Sequence, residues 1–137
     1  MSDFATPDML YTALVTMLTV VLFFYTGVLV GRMRGKHAIK APAMTGHPEF
    51  ERAVRVQMNT LENAVAFIPA LWVSAIWFGG YIPAVAGGVW LLGRILYMFG
   101  YMSAPEKRST GFLIQSLGLV VLIILGFWGV IRTFLMV

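Results

Sequence analysis

Four long apolar stretches follow one another along the chain, separated by short polar segments. The first, residues 9–31, has no charged residue over 23 positions, and the last, residues 110–133, has none before Arg132. Both are longer than the roughly 20 residues that cross a bilayer core. Residues 50–78 and 82–102 reach that length only by including charged side chains. Outside a membrane these two stretches would be amphipathic helices, and the chain has no water-soluble domain that could bury their apolar faces. We therefore predict four spans.

The segments between the spans have the composition of turns. Residues 79–83 read Gly-Gly-Tyr-Ile-Pro and predict a tight turn in which the proline begins the third helix. Residues 103–108 form a second polar turn, and residues 32–48 form the longest connection. We therefore predict an all-α integral membrane protein, in which a bundle of four transmembrane helices forms a single domain over residues 1–137.

The composition agrees with lipid as the main solvent. Hydrophobic residues make up 59% of the chain and charged residues 12%, whereas soluble domains carry about a quarter charged residues. The chain has no cysteine, which excludes disulfides and thiolate metal sites. His37 and His47 lie in one polar loop rather than at metal-ligand spacing on a helix, so we predict no metal site.

The basic residues predict the orientation in the membrane. The net charge is +4, but the positive residues flank the spans, which favours a topological role over nucleic-acid binding. Residues 32–48 carry four of them and the turn before the fourth span carries Lys107 and Arg108, whereas residues 1–8 and 79–83 carry none. By the positive-inside rule, both basic connections are cytoplasmic and both termini are outside. Residues 1–8 also lack the basic region of a signal peptide, so we expect the first span to be retained.

Two polar stripes lie within the middle spans. In the second span the stripe consists of four residues spaced 3, 4 and 3 apart, within about 80° of a helix surface: Arg52, Arg55, Asn59 and Glu62. In the third span the spacing is 4, 3 and 4: Trp90, Arg94, Tyr97 and Tyr101. Charged groups inside spans are costly, so they indicate function and face protein or water.

Both stripes lie near the cytoplasmic ends of their helices, where Arg34 and Arg108 enter from the loops. Together they predict a pocket for a small, multiply anionic ligand, because guanidinium groups bind carboxylates through paired donors. A structural alternative stays open, in which these residues hold the helices together, Arg94 pairs with Glu62 and the tyrosines form an interfacial belt.

Two sequence blocks resemble a known family. The run EFERAVRVQMNTLEN at residues 49–63, with FIPALW at residues 67–72, closely resembles the second helix of the membrane-associated proteins in eicosanoid and glutathione metabolism (the MAPEG family). The block GRILYMFGY at residues 93–101 resembles the third helix of that family. Arg108 falls where the catalytic branch has an arginine shortly after that helix.

The resemblance implies a homotrimer that binds glutathione between neighbouring subunits near the cytoplasmic face. Six residues of this chain would contact the peptide: Arg34, Arg55, Gln57, Asn59, Glu62 and Tyr97. Tyr101 would line the site for an apolar acceptor, and Arg52 and Arg94 would have structural or binding roles. Arg108 would be catalytic, because an adjacent guanidinium stabilises the thiolate form of glutathione, which is the nucleophile.

The chain departs from the eicosanoid branch at one position. Asn63 stands where that branch has a tyrosine, which argues against leukotriene synthesis and favours the bacterial branch.

We therefore expect a glutathione transferase of the bacterial inner membrane that acts on lipophilic electrophiles and also reduces lipid hydroperoxides. A non-catalytic lipid-binding or scaffold protein of the same fold is the leading alternative. A small multidrug exporter fits less well, because residues 9–31 contain no carboxylate for proton coupling.

Overall fold

The computed structural model describes residues 5–137, and four long helices account for most of them. They are α1 (Pro7–His37), α2 (Pro48–Trp77), α3 (Ile82–Ser103) and α4 (Ser109–Phe134), with a short 3-10 helix, Pro105–Arg108, before α4. Each long helix is apolar and long enough to cross a membrane, and residues 5–137 contain no strand. The predicted all-α fold with four membrane-spanning helices is confirmed.

The first helix continues beyond the predicted end of its span. The sequence interpretation placed residues 32–48 in a loop, whereas α1 continues to His37 and the connection comprises only residues 38–47. Basic side chains favour the C-terminal turn, because they interact with the negative end of the helix dipole. The helix stops at Ala38, which adopts a left-handed conformation with φ 53°. Arg34 therefore projects from the end of α1 and not from a loop.

The turn between α2 and α3 depends on two glycines. Gly79 and Gly80 have φ values of 81° and 69°, a region that glycine adopts without steric cost. The Gly80 N–H donates a hydrogen bond to Asp8 Oδ2 at 3.2 Å, which connects the turn to the start of α1. This end of the bundle lies opposite the end formed by residues 38–47 and 105–108, which we name the basic end.

Helix α3 is the most buried of the four and packs against the other three. Towards the basic end, Met33, Phe50 and Tyr97 belong to one apolar cluster. Deeper in the bundle, the ring of Trp90 stacks on that of Phe67, with 3.7 Å between centroids. Residues of α2 and α3 are thereby fixed relative to each other at the deep end of the polar stripe of α3.

Glycines bring α3 and α4 unusually close together. A Cβ atom added at Gly93 would collide with the backbone of Gln115, and one added at Gly111 would collide with the backbone of Tyr97. Small residues allow this kind of backbone approach between membrane helices. The approach sets the positions of Tyr97 on α3 and Gln115 on α4, both of which belong to the site described next.

Candidate functional site

A pocket of about 530 Å³ opens near the basic end, between α2, α3 and the start of α4. Its lining combines two arginines, an asparagine, a tyrosine and a serine with two apolar residues: Arg55, Asn59, Tyr97, Arg108, Ser109, Phe112 and Leu113. The first four were predicted as site residues from the sequence, and the structure brings them together. The pocket therefore has positive charge and hydrogen-bonding groups beside an apolar wall.

Two stacked tyrosine rings lie between two arginine side chains on the α3 side of the site. The guanidinium of Arg108 lies over the ring of Tyr101, 5.2 Å from its centroid. The ring of Tyr101 stacks on that of Tyr97, with 5.7 Å between centroids, and the guanidinium of Arg94 lies 4.3 Å from the centroid of Tyr97. Cation–π attraction stabilises such pairs. Tyr101 supports Arg108 and Tyr97 in this arrangement and is not among the residues that line the pocket.

Arg94 is buried inside the bundle, with only 1% of its surface exposed. Its Nη1 donates hydrogen bonds to Asn59 Oδ1 at 2.8 Å and to Gln115 Oε1 at 2.6 Å. Its Nη2 donates to Thr60 Oγ1 at 2.6 Å. Every one of these acceptors is a neutral oxygen. Arg94 thus connects α3 to both α2 and α4, directly behind the pocket.

The alternative pairing of Arg94 with Glu62 is not formed. Across residues 5–137, no carboxylate forms an ion pair with Arg94, and Glu62 is exposed on the outside of α2. The face of α2 that meets Arg94 carries Asn59 and Thr60 instead. Arg52 is half-buried, and its Nε makes no hydrogen bond within the described residues.

Asn63 extends the polar network of Arg94. Its Oδ1 accepts a hydrogen bond from Gln115 Nε2 at 3.2 Å, and its Nδ2 donates to the Asn59 carbonyl oxygen at 2.9 Å. Asn63, which stands where the eicosanoid branch has a tyrosine, therefore joins α2 to α4. It is part of the support for Asn59.

Two of the predicted ligand residues lie on a different face of the molecule. Gln57 borders a groove of about 500 Å³ between α1 and α2, beside Phe24 and Gly27. Arg55 and Gln57 are two positions apart, which turns their side chains to nearly opposite sides of a helix. Arg34 donates a hydrogen bond from Nη1 to the Ala43 carbonyl oxygen at 2.7 Å. Within one chain, the six predicted ligand residues do not converge on a single pocket.

The two histidines are joined to an acidic residue at the basic end. The rings of His37 and His47 stack with 3.6 Å between centroids, and His37 Nε2 lies 2.8 Å from Glu49 Oε2. Both carboxylate oxygens of Glu49 also accept hydrogen bonds from Lys36 Nζ, at 3.0 and 2.9 Å. His47 Nδ1 accepts from the Glu49 N–H at 3.2 Å. These side chains have the chemistry of metal ligands, but here they bond to one another and hold the end of α1 to the start of α2.

Sequence reasoning did not identify Thr60, Gln115, Ser109 and Phe112 as residues of the site or its support. A signal existed for Gln115, which is the only amide side chain in α4. Polar side chains within a membrane span usually face a partner. No comparable signal existed for Ser109 and Phe112, because their part in the pocket depends on how closely α4 approaches α3.

The sequence is similar to those of several known proteins. Residues 12–128 match the family model of the MAPEG family. An uncharacterized protein of Synechocystis is 46% identical over 117 residues, which cover 85% of each chain. Human microsomal glutathione S-transferase 2 is 41% identical over 112 residues, or 81% of this chain and 76% of that protein. Guinea-pig (Cavia porcellus) leukotriene C4 synthase is 35% identical over 123 residues, or 90% of this chain and 82% of that protein.

Proposed function

Because the chain belongs to the MAPEG family, we propose that it is a membrane-bound glutathione transferase that conjugates glutathione to lipophilic electrophiles. The observation that carries the proposal is the convergence of Arg55, Asn59, Tyr97 and Arg108 in one pocket beside an apolar wall. The similarity to human microsomal glutathione S-transferase 2 supports the same reaction class.

The charges of the pocket suit glutathione. The peptide carries two carboxylates and one ammonium group, so it is a net anion at neutral pH. Arg55 offers paired donors to a carboxylate, and Arg108 offers positive charge to the thiolate sulfur. Asn59 and Tyr97 add hydrogen-bonding groups between these two arginines.

The apolar wall suits the second substrate. Phe112 and Leu113 line the pocket and are 49% and 61% exposed on the surface of α4. A lipophilic electrophile dissolved in the bilayer would reach the pocket along this side. The thiolate sulfur would then attack the electrophilic carbon, a carbon–sulfur bond would form, and the leaving group would depart with its electron pair. Attack of the same thiolate on the terminal oxygen of a lipid hydroperoxide would break the O–O bond, release the lipid alcohol and leave the sulfenic acid of glutathione. A second glutathione would reduce that sulfenic acid, giving glutathione disulfide and water, and this would be peroxidase activity.

A second copy of the chain would complete the site. Arg55 and Glu62 are exposed in the single chain although both lie in a membrane-spanning helix, where contact with lipid is unfavourable for charged groups. Arg34 and Gln57 belong to the opposite, α1 side of the chain. In a homotrimer, the α1 side of one subunit would cover the pocket side of its neighbour and bring the two sets of ligand residues together.

The proposed orientation places the basic end in the bacterial cytoplasm. Water-soluble glutathione would enter from this side, where Arg34 and Arg108 lie, and the electrophile would enter from the membrane. The concentration of basic residues in residues 32–40 and 107–108 supports this orientation.

Thiolate formation tests the proposal most directly. Glutathione is added to the purified protein at neutral pH, and the near-ultraviolet absorbance of the thiolate is recorded together with binding by calorimetry. We expect wild type to bind glutathione and give the signal, and Arg108→Ala to bind but give a much weaker one. Lys107→Ala is the matched control, because Lys107 neighbours Arg108 on the same 3-10 helix and lines no part of the pocket.

The other outcomes separate the alternatives. Binding by wild type without a thiolate signal would favour a non-catalytic member of the family. Failure of wild type to bind glutathione would refute the proposed function.

A further inference from the structure

The charge of Arg94 is unbalanced in the interior of the bundle. Its hydrogen-bond partners on Asn59, Thr60 and Gln115 are amide and hydroxyl oxygens, which solvate the guanidinium but carry no negative charge. Its Nε makes no hydrogen bond to any residue from 5 to 137. A charge in a membrane interior is costly and marks a functional group by default.

Arg94 also contacts the wall of the pocket from behind. Asn59 and Tyr97 both line the pocket, and Arg94 hydrogen bonds to the first and lies over the ring of the second. The other ionisable residues of the lining are Arg55 and Arg108, and no acidic side chain of residues 5–137 lines it. The positive charge of Arg94 therefore adds to a field that is already positive.

We propose that Arg94 is a buried positioning residue of the glutathione site: it orients Asn59 and Tyr97, and its unbalanced charge stabilises the anionic, thiolate form of the bound peptide. This inference rests on the proposed function, and it assigns part of the thiolate stabilisation to a group that does not touch the ligand. The charge of Arg94 can act on a thiolate that it does not contact, because the site lies among apolar helices. The effective dielectric constant there is far below that of water.

Gln115 provides a way to separate charge from structure. Its Oε1 lies 2.6 Å from Arg94 Nη1, and glutamate has nearly the same shape as glutamine. Gln115→Glu would keep an acceptor for Arg94 Nη1 and place a negative charge against the guanidinium, but it would lose the hydrogen bond that Gln115 Nε2 donates to Asn63 Oδ1. The network would then be neutral, while the pocket lining would be unaltered. Gln115→Met is the matched control, because it removes the hydrogen bonds of Gln115 but introduces no charge.

The experiment measures the pH at which half of the bound glutathione is thiolate, by near-ultraviolet titration of the glutathione-saturated protein. We expect Gln115→Glu to raise this midpoint by about one pH unit, as expected from one additional charge at low effective dielectric constant. We expect its affinity for glutathione at neutral pH to fall several-fold. Gln115→Met should shift the midpoint far less. Size-exclusion chromatography and thermal unfolding in detergent check that both variants fold.

The charge of Arg94 can also be tested at its own position. Arg94→Lys keeps the charge and loses part of the network, whereas Arg94→Met loses both. We expect the midpoint of Arg94→Lys to stay closer to that of wild type than the midpoint of Arg94→Met. If Gln115→Glu does not fold, the comparison of Arg94→Lys with Arg94→Met tests the inference instead.

Two results would overturn the inference. One is an unchanged midpoint in Gln115→Glu with glutathione still bound, and the other is an equal shift in Gln115→Glu and Gln115→Met. In either case the proposed function would stand, because wild type would still bind glutathione as a thiolate. Absence of glutathione binding by wild type would refute both together.

Discussion

Arg55 presents an exposed guanidinium on the surface of α2, a helix long and apolar enough to cross a membrane. It shares the pocket lining with Asn59, one helical turn away on α2, and with Arg108, which precedes α4. Asn59 is fixed from behind by Arg94, whereas Arg55 makes no ion pair within residues 5–137. The guanidinium of Arg55 is therefore available to a carboxylate ligand.

Replacement of Arg55 by alanine should weaken glutathione binding by about 10- to 100-fold, which is typical of the loss of a charge-assisted hydrogen bond. Binding is measured by calorimetry on the purified protein. Lys40→Ala is the control, because Lys40 is an exposed basic residue in the connection between α1 and α2 and lines none of the pockets described above. Equal losses in the two variants would mean that the general positive charge of the basic end binds the peptide and that the polar stripe of α2 does not.

At the scale of the helices, hydropathy and helical spacing predicted most of the fold. Charge-free stretches identified α1 and α4, and spacing placed Arg55 and Asn59 on one face of α2. The end of α1 was missed because basic residues were interpreted as a loop, although a helix C-terminus accommodates them well. The network of Gln115 could not be predicted either, since helical spacing gives the direction of a side chain but not the helix that it meets.

The closest helix pair, α3 and α4, supports both the pocket and the network. Gly93→Ala should destabilise the protein by about 1–3 kcal/mol, as is usual for overpacking, because the new Cβ would press on the backbone of Gln115. Gly88→Ala is a matched control in the same helix, since a Cβ there meets nothing within 4 Å. Alanine favours helices over glycine, so Gly88→Ala should be neutral or stabilising.

Thermal unfolding in detergent, with and without glutathione, measures this difference. Gly93→Ala should unfold at a lower temperature than wild type and gain less stability from glutathione, because the position of α4 also sets the position of Arg108. Identical unfolding of Gly93→Ala and Gly88→Ala would show that the approach of α3 and α4 is not required for stability.

At the scale of the whole molecule, the predicted ligand residues divide between two sides of one chain. Arg55, Asn59, Tyr97 and Arg108 lie on the pocket side, and Gln57 lies in the groove between α1 and α2. A chain with two different, complementary sides forms a closed ring when the rotation between neighbours is right. The proposed trimer would account for this division, because a single chain leaves the two sets of predicted ligand residues apart.

Mixed assemblies of two impaired variants test whether the site is shared. One chain carries Arg55→Ala on the pocket side, and the other carries Arg34→Ala with Gln57→Ala on the α1 side. When the two are co-expressed, some interfaces join an intact pocket side to an intact α1 side. For random assembly at equal amounts, about a quarter of the sites should be complete, so transferase activity should recover well above that of either variant alone.

The control is a mixture of Arg55→Ala with Arg108→Ala, in which both changes are on the pocket side. Every chain in that mixture has a damaged pocket side, so no combination of subunits restores a complete site and activity should stay low. Recovery in the first mixture and not in the second requires that neighbouring subunits contribute different residues to one site. If neither mixture recovers although mixed assemblies form, all the residues that bind glutathione belong to one chain, because a site within one chain cannot be repaired by its neighbour.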